Sequence, residues 1–279
     1  MTASPHAADA ATPPQRSDDL EYRDPAYIAR TLKWFLAIGR NYFRSEVRGL
    51  DNIPEKGGVL LVGNHSGGFF IVDAIIFATE FYAHFGADRP FHPLIHDVVA
   101  HLPGFDMARK YGSITADRGN AAAALQGGGA LLVYPGGDYE TFRPSWHSNR
   151  IAFNGRKGFT RLALAENVPI VPVVSIGGQE TALFLSRGER LARWLGLDRK
   201  LRLNSLSISL GFPFGLSLLD FPPRIPLPSK ITIQVLPPID VRARFGSNPD
   251  PQDVYDGVTG DMQRALDALA SERRFPIVG

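Results

Sequence analysis

The chain contains no cysteine. That absence excludes disulfides, cysteine nucleophiles, thiolate zinc sites and iron–sulfur clusters together. No run of about 18 apolar residues occurs, so no segment is expected to cross a bilayer as a helix. The net charge is only +2, from 30 basic and 28 acidic side chains. A balance so near neutral gives no ground for a nucleic-acid partner. Lysine is scarce: it stands at 33, 56, 110, 157, 200 and 230 only, so the other 24 of the 30 basic side chains are Arg. Arginine holds its charge and binds carboxylate or phosphate as a fork, although codon bias accounts for such a ratio equally well. Residues 1–19 have no apolar h-region and so do not read as a signal peptide; rich in Ala, Pro, Ser and Asp, they read as a disordered tail.

What is present suffices for a core. Of 279 residues, 44% are hydrophobic and 21% charged. The runs Gly58–Val62, Gly129–Val133, Pro169–Val174, Leu206–Leu210 and Ile231–Leu236 read as strands, most of them buried. Asp73–Phe85, Asn120–Gln126, Gly158–Asn167 and Asp261–Glu272 carry helical patterns. That order predicts an α/β fold, with a mixed, largely parallel central sheet flanked by helices in a single domain over 46–279. The stretch Gly211–Pro228 is proline-rich and reads as an apolar loop, which invites a lipid or a partner.

Two segments suit a membrane surface. Over residues 20–45 an amphipathic, membrane-facing helix is expected. Within it Ile28, Leu32, Phe35, Leu36, Gly39, Tyr42 and Phe43 recur at helical spacing, interleaved with Arg30, Lys33, Arg40 and Arg44. A terminal helix docked on the core explains the same pattern. Leu183–Arg202 sets six basic side chains against two acidic ones beside Phe184, Leu191, Trp194, Leu195 and Leu197. That composition fits an anionic lipid surface or, equally, a solvated helix face.

Four blocks carry chemistry. Asn64-His65-Ser66-Gly67-Gly68 follows the first strand, where open α/β sheets place their ligands. His65 is a candidate general base. Asp73 lies eight residues on, about 12 Å away along a continuous helix, so the two meet only if Ser66–Phe70 is a loop, as Gly67 and Gly68 permit. Ser66 as a nucleophile has only half of the Gly-x-Ser-x-Gly pattern, because Asn64 precedes His65 where a glycine is needed. The second block, Tyr134-Pro135-Gly136-Gly137-Asp138-Tyr139-Glu140, follows another strand, with Arg143 just beyond. The third is Gly112-Ser-Ile-Thr-Ala-Asp-Arg118. In the fourth, His92 and His96 stand four apart beside Asp97, with His101 further on; they read as polar residues on a partly exposed helix, and no metal site is expected.

Taken in order, NHSGGFFIVD, GSITADR, YPGGDYE and NVPIVPV resemble the blocks of the lysophospholipid/glycerolipid acyltransferase superfamily, over roughly residues 45–240. The Pro-Gly-Gly-x-x-Glu form, with Gly-Gly-Gln-Glu-Thr at 177–181, is similar to its diacylglycerol-acyltransferase-like branch. The family block has four residues between His and Asp; this chain has seven. The resemblance implies His65 as base and Asp73 as its orienting carboxylate. It implies Ser66, Gly67, Arg118, Gly136, Gly137, Glu140, Arg143 and Arg156 around the substrates, and Pro169 and Pro172 in the pocket wall. It further implies transfer of a fatty acyl group from acyl-CoA or acyl-carrier protein to a glycerolipid hydroxyl, with no cofactor, at the cytoplasmic face of a membrane. Backbone N–H groups near Gly67–Gly68 or Gly136–Gly137 are candidate oxyanion donors, and Arg150, Arg156 and Lys157 a dock for the phosphates of the leaving thiol. A serine lipase or thioesterase using Ser66, and a non-catalytic lipid-binding module, are the competing readings.

Overall fold

A computed structural model describes residues 18–68, 71–96, 105–196, 206–218, 220–221 and 224–275. Residues 1–17 of the tail expected over 1–19, Phe70, Asp97, His101, Arg199, Lys200 and Arg202 lie outside them, while Asp18 and Asp19, the last two residues of that stretch, open the helical turn Asp18–Tyr22.

Among the described residues ten strands form two sheets. The central one has seven strands in the order β1 (Glu46–Arg48), β10 (Thr232–Val235), β6 (Ile170–Ile176), β2 (Val59–Gly63), β5 (Ala130–Val133), β3 (Phe91–Ile95) and β4 (Ile114–Thr115). All pairings are parallel except β10 on β6. Strict alternation along the central strands builds a core on each face. Leu60 and Val62 of β2, Leu131 and Val133 of β5, and Ile170 and Val174 of β6 face the helices Arg118–Gln126, Gly158–Glu166 and Pro251–Glu272. Val59, Leu61, Leu132, Val171 and Val173 face the helices Pro25–Ala37 and Val72–Phe85. Burial on both faces is why these strands read as unbroken apolar runs.

The terminal helix starts where Asp24 caps the Tyr27 N–H and Pro25 supplies the first turn. It continues through a π turn, Ile38–Tyr42. Only part of its apolar stripe is buried: Ile28 and Phe43 join the core while Trp34, Ile38 and Tyr42 stay exposed. The closing helix spans Pro251–Glu272, ten residues more than the pattern suggested, with Asp250 as its cap.

Three expectations are corrected. His92 and His96 are not on a helix: His92 lies in β3 and His96 just after it. Four residues of extended chain separate them by about 13 Å, too far to share a metal. Gly211–Pro228 is not all loop, since Gly215–Leu218 forms β9. Leu183–Arg202 is not one helix: Leu183–Ser186 is β7, followed by the short helix Glu189–Trp194. Strands β7, β8 (Ile208–Gly211) and β9 make a second, antiparallel three-stranded sheet.

Candidate active site

The site forms at the carboxyl ends of β2 and β5, neighbours paired Val62↔Val133. Each strand runs directly into its block. At Gly63 a β-carbon would come within 2.5 Å of the Tyr134 ring. Glycine there lets Tyr134 close onto His65, and the two rings stack 4.3 Å apart at 22°. Asn64 fixes the loop to β6 by mimicking a strand partner: its Nδ2 donates to the Ser175 carbonyl and its Oδ1 accepts from the Ser175 N–H.

The backbone of His65 is held on both sides by the second block. Its N–H donates to Glu140 Oε2 at 2.9 Å, and its carbonyl accepts from Arg143 Nη1 at 2.6 Å. The other Glu140 oxygen accepts from the Ala152 N–H. Both side chains are buried. Burial pushes the Glu140 carboxyl above its ordinary range, against the pull of Arg143 and the two N–H donors. The same burial lowers the Arg143 guanidinium. Gly136 is required beside them, because a β-carbon there would overlap the Glu140 carboxylate. Desolvation, with the Asp73 and Glu140 charges nearby, pushes the Tyr134 phenol well above its ordinary value.

The longer His–Asp spacing is resolved by a loop. Gly67 and Gly68 both take positive φ, and the helix begins only at Val72. Asp73 Oδ2 thereby reaches to 3.5 Å from His65 Nδ1. At that distance the two groups face each other short of a made hydrogen bond, and Nδ1 has no hydrogen-bond partner. The same Oδ2 accepts from the N–H and hydroxyl of Ser66, while Oδ1 accepts from the Ala74 N–H.

Several expected site residues have other work. Ser66 is buried, bonded to Asp73 and backed by Gly178, where a β-carbon would lie 2.2 Å from its hydroxyl oxygen. Arg143 spends its guanidinium on backbone carbonyls, those of His65, Glu140 and Ser148, and so braces the loop. The Gly67 N–H donates to Gln179 at 3.3 Å and the Gly137 N–H to the Tyr134 carbonyl. Arg156 braces the Gly136 carbonyl and Asp138 at the rim. Arg118 is exposed in the first turn after β4, three strands from β2 and so about 14 Å along the same sheet edge. Pro172 lines a cleft of about 490 Å³ with Pro237 and Pro238, and Pro169 a smaller one; neither cleft includes a residue of the His65 site. Among the described residues no three His, Asp or Glu side chains converge as a metal site.

Residues without an assigned role in the sequence complete the site. Arg224 and Asp220, both buried, form an ion pair. Arg224 Nη2 donates to the Gly67 carbonyl at 2.7 Å, and Thr141 donates to the carbonyl of Gly68. An Asp and an Arg four apart in an otherwise apolar stretch were the available signal.

A family model described as Acyltransferase matches residues 44–176, which include both blocks of this site. An uncharacterized protein of Mycobacterium tuberculosis is 31% identical over 89% of this chain and 67% of its own length. The chain belongs to the acyltransferase superfamily. A further relative of this acyltransferase is a Bos taurus protein named DGAT1/2-independent enzyme synthesizing storage lipids, 32% identical over 68% of this chain and 55% of that protein. The crystal structure of the 1-acyl-sn-glycerophosphate acyltransferase PlsC from Thermotoga maritima is similar in fold, with a TM-score of 0.54 and 16% identity over 86% of this chain and 81% of that one.

Proposed function

We propose that this acyltransferase moves a fatty acyl group from acyl-CoA or acyl-carrier protein to a hydroxyl of a glycerolipid, with His65 as general base. The carrying observation is that Asp73 faces His65 Nδ1 and leaves Nε2 for the substrate. As the acceptor hydroxyl attacks the thioester carbonyl, Nε2 takes its proton, a C–O bond forms, the C–S bond breaks, and the proton passes to the leaving thiolate. Asp73 orients the ring and stabilises the imidazolium. General-base assistance of this kind contributes on the order of 10²–10⁴-fold. No enzyme-bound acyl intermediate is needed, and none is supported: the Ser66 hydroxyl bonds to Asp73 and is packed against Gly178. That disfavours the lipase or thioesterase reading.

The relatives' names support a glycerolipid acceptor, of the storage-lipid or lysophosphatidate class, and the bovine relative favours the diacylglycerol-acyltransferase-like branch. Arg156 and Arg118, on the sheet edge that carries His65, are suited to phosphate-bearing parts of either substrate. Among the described residues no helix is long and apolar enough to cross a membrane, and exposed Trp34, Ile38 and Tyr42 suit a peripheral, cytoplasmic-face association. The test is acyl transfer from labelled acyl-CoA to a panel of lipid acceptors, read by mass spectrometry. His65→Ala is expected to lose at least about 10²-fold in turnover while unfolding at the wild-type temperature. Wild-type turnover in that variant overturns the proposal.

A further inference from the structure

The three-stranded sheet is built inside out. Its inner face carries Phe184, Ser209 and Ser217, all buried. Its outer face carries the rows Leu183–Leu210–Leu216 and Ile208–Leu218, together with Leu185. Those leucines are exposed, Leu216 at 59%. A one-sided sheet in water has the reverse arrangement. The apolar surface continues past the sheet through Phe212 and Phe214 in the β8–β9 turn, exposed at 62% and 60%, and Phe221 at 76%. It continues further through Ile225, whose N–H bonds the Phe212 carbonyl, and Leu227. At its far side it meets the terminal helix, where Tyr42 donates to the Pro226 carbonyl and Arg44 to that of Pro228. Exposed Tyr42, Ile38 and Trp34 extend it along that helix. So continuous an apolar face exceeds what isolated surface leucines explain.

We infer that this outer face docks on an anionic lipid bilayer, with Phe212 and Phe214 of the β8–β9 turn, and Phe221 beyond β9, as the inserted side chains. The inference rests on the glycerolipid reading above and names the surface that serves it. Three observations select a bilayer. From residue 183 to residue 227 the sequence carries seven basic and three acidic side chains, and the Arg224–Asp220 pair is buried. Among the described residues the apolar centre is flanked by exposed Arg193 beside Trp194, itself 81% exposed, and by exposed Lys33 over the Trp34 ring, a basic rim of the kind that anionic headgroups attract. A second copy seated face to face would set that basic rim against itself. The inner face of the sheet lies on the His65 loop: a β-carbon at Gly68 would touch both Asp220 and the Phe184 ring, and Arg224 holds the Gly67 carbonyl. Docking on the outer face therefore holds the bilayer surface about one sheet layer from the loop that carries His65.

The absence of native cysteine allows a single-label test on the full chain. Phe214→Cys, carrying an environment-sensitive fluorophore, is mixed with vesicles of phosphatidylcholine containing phosphatidylglycerol. Glu55→Cys, exposed ahead of β2 at the opposite edge of the central sheet, is the control. The label at 214 is expected to shift to the blue on these vesicles and less on pure phosphatidylcholine, and the label at 55 to stay unchanged. No shift at 214 overturns the inference. In parallel, Phe212→Ser/Phe214→Ser/Phe221→Ser is expected to bind anionic vesicles at least about tenfold more weakly, while transfer to a short-chain, water-soluble acceptor without vesicles stays within twofold. Unchanged vesicle binding in the triple variant overturns the inference, as does a dimer in sedimentation velocity that only this variant dissolves. Loss of transfer in His65→Ala with vesicle binding intact concerns the catalytic reading alone, so the two failures are distinguishable.

Discussion

In the proposed reaction Glu140 serves through the backbone of His65, to which it is bonded, and not through the substrate. Its two carboxylate oxygens accept from two N–H groups, those of His65 and Ala152. In Glu140→Gln one of those acceptors becomes an NH2 donor facing an N–H. Hydrogen bonds to charged groups contribute about 1.5–3 kcal/mol, so thermal stability is expected to fall by about 2 kcal/mol. A displaced His65 also loses proton-transfer geometry, so kcat is expected to drop by about tenfold or more with little change in KM. Steady-state kinetics with denaturant unfolding checks both. A purely structural role would lower stability and leave kcat per folded molecule intact. His92 makes a pH-dependent case. It is buried in β3 with Nδ1 3.0 Å from the Gly112 carbonyl, and burial lowers its pKa to about 4. The unfolded chain binds that proton near pH 6.5. The folded state binds fewer protons between these values, so stability is full above pH 6.5 and is lost as pH falls toward 4, by about 3 kcal/mol at most. Urea titration at pH 7 and pH 4 is expected to show wild type losing more than His92→Gln by up to that amount. Of the candidate site residues, His65 stands out because it follows a strand end and precedes a glycine pair, whereas Asp73, inside the helix Val72–Phe85, and Glu140 were reached through the order of the four blocks. Arg143 was legible as important but not in its role, since sequence cannot distinguish an arginine that grips substrate from one that grips three carbonyls.

At the scale of elements, legibility followed burial. β2, β5 and β6 are buried on both faces and announced themselves as apolar runs. β8 was read as the strand Leu206–Leu210, but β7 and β9 did not stand out, because alternation there places leucine outward and serine or phenylalanine inward, and prolines and phenylalanines around β9 suggested a loop. His92 misled for a related reason: spacing of four is read as a helix face, yet in β3 it places residues far apart on extended chain. The helix Pro251–Glu272 was recognised only in its second half because Gly257 and Gly260 weaken helix propensity in the first. Its buried stripe nevertheless runs through Val254, Val258, Met262, Leu266 and Leu269. Gly257 has a packing reason, since a β-carbon there would come within 2.6 Å of the Phe245 ring. Gly257→Ala should gain about 1 kcal/mol on propensity but lose about 1–3 kcal/mol to the displaced ring. The expected net is a small loss in Tm. Calorimetry on Gly257→Ala alone and with Phe245→Leu separates the terms, because the smaller partner should turn the loss into a gain.

Across the whole molecule, the central sheet and the smaller sheet are joined through a few buried polar groups at the His65 loop. Arg224 is the centre of that joint. It bonds Asp220, the Gly67 carbonyl and the Thr181 carbonyl, with the Phe184 ring 5.1 Å away. Asp220 in turn accepts from Ser209 on the inner face of β8. Removing one partner of a buried ion pair strands the other charge, which costs about 3–5 kcal/mol. Arg224→Met and Asp220→Leu are each expected to destabilise by that order. The double variant should cost clearly less than the two together, because neither charge is then left unpaired. The catalytic consequence is separable. Arg224 holds the loop at the Gly67 carbonyl, whereas His65 itself is held by Glu140 and Arg143, which follow β5 of the central sheet. The double variant, assayed below its melting temperature on a water-soluble acceptor, should therefore keep most of its kcat. On vesicles it should lose more, because the apolar face would no longer sit at a fixed distance from His65. Equal losses in the two assays would place the joint's contribution in the reaction itself instead of in the delivery of lipid.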